Sequence, residues 1–138
     1  MTLQALVNID VADVASAERF YCAALDLRPG RRFGDAAVEL LGASSAIYLL
    51  KKAQGSAAAE TLSQRRDYSR HWTPVHLDFA VPDLDAALAR ARAAGASLEG
   101  EPKTHKWGRI AMLADPFGHG FCLIQFLGRG YDEIAESG

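Results

Sequence analysis

Residues 76–90 read HLDFAVPDLDAALAR, and residues 6–20 read LVNIDVADVASAERF. Set one under the other at a constant offset of 70, Asp83 falls on Asp13, Val81 on Val11, Phe79 on Ile9 and Leu77 on Val7. Identities are few, but the physical pattern is the same: an alternating run, an aspartate, then a helical stripe. Val7, Ile9 and Val11 give the first strand an apolar face, and Leu6, Asn8 and Asp10 point the other way. In the second run, Val75, Leu77, Phe79 and Val81 are apolar, and His76, Asp78 and Ala80 share the opposite face. Asp13 and Asp83 are N-caps, since a carboxylate there accepts from free amides of the first turn.

The helix after Asp13 takes its buried stripe from Phe20, Tyr21, Ala24 and Leu25, and the following Arg-Pro-Gly is expected to stop it. The helix after Asp83 uses Leu84, Ala87, Leu88 and Ala91, with Gly95 at a left-handed C-terminal position. Strand-like runs follow each helix, near 28–34, 36–41 and 45–52 in the first half and 97–101, 107–114 and 119–127 in the second. DPFGHG, 115–120, is the turn before the last of these. Each half therefore reads β-α-β-β-β. The expectation is one α+β domain, 1–138: module one at 4–52, a connector at 53–73, module two at 74–127 and a surface tail at 128–138. The connector is alanine-rich and polar, with a helix expected around 57–68.

The helices are the nearest cover for the apolar faces, so the opposite faces must be wet or occupied. Two curled half-barrel sheets side by side, helices outside, then enclose a polar cleft lined by Asn8, Asp10, His76 and Asp78.

Bulk properties exclude several classes. A chain of 138 residues is the size of one domain and buries a core without disulfide or metal staples. The net charge of -2 attracts neither nucleic acid nor anionic membrane. Arg65, Arg66 and Arg70 form a local basic run, read as a solvated or dimer-contacting linker rather than a nucleic-acid patch. Cys22 and Cys122 match no metal or redox spacing and read as free thiols. The N-terminus lacks the pattern of a signal peptide, and no apolar run is long enough to span a membrane. A cytoplasmic location is expected.

The tandem modules, with HLDFAVPDLDAALARARAAGA and DPFGHGFCLIQF, resemble the vicinal oxygen chelate superfamily over roughly residues 4–127. That superfamily includes glyoxalase I, extradiol dioxygenases, and the fosfomycin- and bleomycin-resistance proteins. Its enzymes hold a divalent metal with one side chain from each of four strands. By resemblance those positions fall on Leu6, on one of Tyr48, Leu49 and Leu50, on His76, and on Cys122, where glutamate is usual. Leucine cannot coordinate, and one good ligand with one soft one does not make the usual site. The resemblance therefore implies a member with a degenerate metal site and no metal cofactor.

The candidate ligand-binding residues are Asn8, Asp10, Tyr48, His76, Asp78, Trp107, Cys122 and Ile124. His76 is the candidate acid–base group, with Asp78 to orient it, and Cys122 is a secondary candidate. Trp107 reads as a hydrophobic lid beside His105, and Arg109 as surface. The leading expectation is a protein that sequesters a small organic molecule, with Asp10 and Asp78 favouring a cationic or hydrogen-bond-donating ligand. The alternatives are a glyoxalase-type lyase or isomerase, or a dioxygenase-like enzyme. Either uses a metal with atypical ligands, or uses His76 without one. A purely structural or interaction role is the third class. A homodimer is implied by the resemblance alone.

Overall fold

A computed structural model of the chain describes residues 1–136; the last two residues of the expected tail lie outside it. The first sheet contains β1 (Val7–Val11), β2 (Arg28–Phe33), β3 (Ala37–Leu41) and β4 (Ile47–Lys51), in the order β1-β4-β3-β2. The second contains β5 (Leu77–Ala80), β6 (Ser97–Leu98), β8 (Gly108–Ala114) and β9 (Gly120–Phe126), in the order β5-β9-β8-β6, with β7 (Lys103–His105) also paired to β8. In each sheet the lead strand runs parallel to the last strand, and the other pairings are antiparallel. This is the expected α+β architecture of two open half-barrels. The shared register extends to single positions: Tyr48 lies between Asn8 and Glu39 as Cys122 lies between Asp78 and Met112.

The helices α1 (Val14–Leu25) and α2 (Leu84–Ala94) cover the apolar faces and pack against each other. Asp13 accepts from the Ala15 amide at 3.2 Å and Asp83 from the Ala86 amide at 3.2 Å, as the aspartate spacing requires. Gly95 closes α2 with a φ of 118°. The stop of α1 is not Arg-Pro-Gly. Asp26 adopts the left-handed conformation instead, and Arg28 to Gly30 already belong to β2. Asparagine and aspartate tolerate that conformation better than other residues with a side chain. Leu40, Ile47, Leu49, Leu84, Leu113 and Leu123 are fully buried, each contributing about 1.5–3 kcal/mol by burial. Val7, Ile9, Phe79 and Val81 pack against this core, as the alternation predicts.

Two further expectations fail. Val75 was placed on the buried face, but β5 starts only at Leu77, and Val75 is 81 % exposed. The connector holds no helix; its turns are joined by an isolated bridge between Ala57 and Arg65. Side-chain anchors to both modules fix it in place of helical hydrogen bonds. The described part of the tail is mostly exposed. It forms a 3-10 turn, Gly130–Glu133, that sets Tyr131 edge-on to Phe126, with ring centroids 4.8 Å apart.

Candidate functional site

The free edges of β1 and β5 face each other across a seam, with no strand pairing between them among the described residues. A cavity of about 800 Å³ runs along that seam. Leu6, Asn8 and Asp10 line it from one side, and Val75, His76 and Phe79 from the other. The connector forms its third wall through Arg66, Tyr68, His71 and Trp72. A smaller cavity of about 120 Å³ lies on the second sheet, lined by Trp72, His76, Met112 and Cys122 among others. His76 and Trp72 border both cavities.

The connector supplies residues that the alternation could not disclose. Arg66 Nε lies 2.7 Å from Asp10 Oδ2, with the Arg66 side chain only 18 % exposed. Arg70 grips the carboxylate of Glu99 through two bonds of 2.6 and 2.9 Å. Both arginines are committed to carboxylates of the modules, although most of the connector around them is exposed. The Asp10 carboxylate is likewise neutralised rather than offered to a cationic ligand. His71 Nε2 lies 2.9 Å from His119 Nδ1, and His119 Nε2 donates to the carbonyl of Asp10 at 2.7 Å. The turn before β9 is held by buried Asp115, which accepts from the amides of Phe117 and His119 and from the Tyr21 hydroxyl. Burial, and secondarily the Asp115 charge, push that hydroxyl well above the ordinary tyrosine range.

His76, Asp78 and Cys122 do come together. Each offers a donor atom within 4.8 Å of the others, and His76 Nε2 lies 3.3 Å from Asp78 Oδ1. His76 is 54 % exposed at its side chain, so it faces open space rather than a helix. Cys122 is buried, and burial followed by the Asp78 charge pushes its thiol up to about 11. A thiol held protonated is a poor nucleophile near neutrality.

In module one the matching face holds a different group. Glu39, only 6 % exposed, accepts from the backbone and side chain of Arg31 and from the Tyr48 hydroxyl at 2.9 Å. These bonds, those from the Arg31 side chain first, hold its carboxyl down at about 2. Nothing in the β3 alternation marks Glu39 as different from a surface residue. Gly30 is the nearest cue, since a Cβ there would come within 2.5 Å of the Glu39 carboxylate.

Of the four positions that the family resemblance assigns to a metal, His76 and Cys122 lie together with Asp78, and the two in module one differ. Leu6 brings no donor, and the Tyr48 hydroxyl is engaged by Glu39 and Arg31. The three clustered donors all belong to module two. Tyr48, Asp78, Trp107 and Ile124 line neither cavity. Trp107 stacks on His105 at 5.3 Å and packs against Phe126 and Tyr131, so it seals the far end of the second sheet. Arg109 pairs with Asp85 of α2 at 3.0 Å.

The chain belongs to the glyoxalase-like domain family, whose model matches residues 6–124. Its superfamily is that of the glyoxalases, bleomycin-resistance proteins and dioxygenases, the vicinal oxygen chelate group. It is 33 % identical over 129 residues to the anthracycline biosynthesis protein DnrV of Streptomyces peucetius, covering 94 % of this chain and 43 % of the relative. The chain thus spans less than half the length of that relative. Among solved structures, the fosfomycin resistance protein FosX of Listeria monocytogenes superposes with a TM-score of 0.67 at 17 % identity, over 92 % of this chain and 95 % of its own. TnmS3, an antibiotic-binding protein from a Streptomyces species, gives 0.64 at 24 % identity, over 92 % and 98 %. At these identities the two structures speak for the fold.

Proposed function

We propose that this chain binds a flat, largely apolar organic molecule in the seam cavity and does so without the family's divalent metal. The observation that carries this reading is the composition of the wall. Tyr68, Trp72, Phe79 and Phe121 offer aromatic faces, while the one carboxylate from β1, Asp10, is balanced by Arg66. Such a wall favours stacking with a few oriented hydrogen bonds over recognition of a strong charge. DnrV, by its name a protein of anthracycline biosynthesis, and TnmS3, an antibiotic-binding protein, make polycyclic aromatic compounds the first ligands to try.

A second reading rests on His76 beside Asp78. The carboxylate can orient the imidazole for proton transfer at the mouth of both cavities, so a bound molecule could also be turned over there. We further propose a homodimer, supported by Phe33, Met112 and Phe126, which leave large apolar surface exposed on the sheets. No helix among the described residues is long and apolar enough to cross a membrane. The two free cysteines suit a cytoplasmic setting.

The test is a thermal-shift and fluorescence titration with an anthracycline, with fosfomycin as the small polar comparison. A rise in melting temperature with the anthracycline, retained after chelation of metals, is expected. No shift with any polycyclic aromatic compound would overturn the reading. Product formation that disappears in His76→Ala would favour the enzyme.

A further inference from the structure

His71 of the connector and His119 of the turn before β9 meet edge to face, their ring centroids 4.7 Å apart and their planes at 83°. Their near nitrogens, His71 Nε2 and His119 Nδ1, are 2.9 Å apart. The far nitrogens are both engaged: His71 Nδ1 lies 2.9 Å from the Ser69 carbonyl and His119 Nε2 lies 2.7 Å from the Asp10 carbonyl. A backbone carbonyl can only accept. Each far nitrogen must therefore carry a proton. If both rings were neutral, their remaining lone pairs would point at each other across 2.9 Å, which is repulsive. One additional proton between them turns the clash into a charge-assisted hydrogen bond.

We propose that His71 and His119 share one such proton, forming a singly charged clasp that holds the connector over the seam cavity and releases it as the pH rises. The clasp joins three parts of the chain, because His119 also donates to β1 through Asp10. The connector lies close enough for this to matter. A Cβ on Gly118 would run into the backbone of Tyr68 and Ser69, and one on Gly120 would come within 2.6 Å of the Arg70 guanidinium. Gly118 also has a φ of 80°, so the turn requires glycine on both counts.

The groups facing the pair come from every element packed around it. The connector contributes Arg66, committed to Asp10, and Arg70, committed to Glu99 while also donating to the His71 carbonyl. It also contributes Asp67, whose carboxyl is held low by the Ser69 amide and hydroxyl and further by His71. Tyr68 sets its ring edge-on to His119 at 6.0 Å. The β8–β9 turn brings Asp115, bonded by Tyr21 of α1, and the segment ahead of β5 brings His76 to the same cavity.

The sign follows from the proton count. The clasp exists where the pair holds one extra proton. Losing that proton restores the lone-pair clash, and gaining a second sets two cations side by side. Protection of the connector is therefore bell-shaped in pH, with release on the alkaline limb.

The test follows the ring nitrogens of His71 and His119 by nitrogen-15 NMR against pH, alongside amide-exchange protection factors for residues 66–73. At maximal protection, the two rings together should carry three protons on their four nitrogens, and protection should fall several-fold as the third is lost. His119→Gln keeps an amide donor for the Asp10 carbonyl but removes the pair. If it folds, its connector should lose the bell-shaped dependence. Two neutral rings beneath a protected connector would overturn the proposal, as would an unchanged bell in folded His119→Gln. If that variant does not fold, the nitrogen titration of the unaltered protein decides alone. The outcome is independent of any ligand.

Discussion

Arg66 reaches from the connector to Asp10 on β1, joining side chains 56 positions apart at 2.7 Å. The same guanidinium donates to the Ser56 hydroxyl and the Ala57 carbonyl, so it folds the connector on itself while tying it to module one. Arg66→Ala leaves the Asp10 carboxylate, 34 % exposed, without its cation. A loss of roughly 1–2 kcal/mol in urea unfolding is expected, between the surface-pair and buried-pair limits. In a double-mutant cycle with Asp10→Asn, most of that loss should be coupling energy. Additive single losses would deny the pairing its role.

Glu39 makes stability depend on acid. Its folded-state carboxyl is held at about 2 against an ordinary 4.5, chiefly by the Arg31 side chain. The folded form therefore binds its proton later than the unfolded chain does. The contribution is present in full above pH 4.5 and is lost as the pH falls toward 2. Urea titrations of the native protein and Glu39→Gln should differ most above pH 5 and converge near pH 2. Parallel curves over that window would contradict this.

Cys122 should be slow toward alkylation. Its thiol is pushed up to about 11, which leaves roughly a hundredth of the thiolate of an ordinary cysteine near neutral pH. The greater intrinsic nucleophilicity of the basic thiolate recovers part of this, so the expected rate is about tenfold below that of a free thiol. Removing the neighbouring charge with Asp78→Asn should raise it. Peptide-resolved mass spectrometry after timed iodoacetamide treatment reads both rates.

Trp72 borders both cavities while 80 % exposed. Trp72→Ala should leave unfolding within about 0.5 kcal/mol of native, as surface changes do. It should also weaken a polycyclic aromatic ligand about tenfold, ~1.4 kcal/mol. Fluorescence titration of the native protein, where Trp72 reports directly, and calorimetry of the variant provide the comparison.

Much of the fold can be read in two fifteen-residue windows. The repeat of Asp13 and Asp83, each closing an alternating run, specifies strand, cap and helix twice, and the DPFG turn places the final strand. What the windows conceal is non-local. The bond of Arg66 to Asp10 and the meeting of His71 with His119 join chain segments 56 and 48 positions apart. No periodicity encodes such contacts. Asp78 and Cys122 are legible because they lie on neighbouring strands in register, with His76 just ahead of the first strand. Trp107 misleads for the opposite reason: the tail supplies Tyr131, and the indole turns toward it and away from the cavities. Glu39 is invisible because only the return of β2 through Gly30 brings Arg31 over it.

The unjoined edges of β1 and β5 have a mechanical consequence. Two sheets sharing a ladder could separate only by breaking a row of backbone hydrogen bonds. Here the distance between the edges is set by how α1 and α2 nest against each other and by the side chains spanning the gap. A small slide of one helix along the other would widen the bay while leaving every ladder intact. On the proposed binding role, a guest would meet a gap whose width is governed by helix packing and not by the backbone ladders.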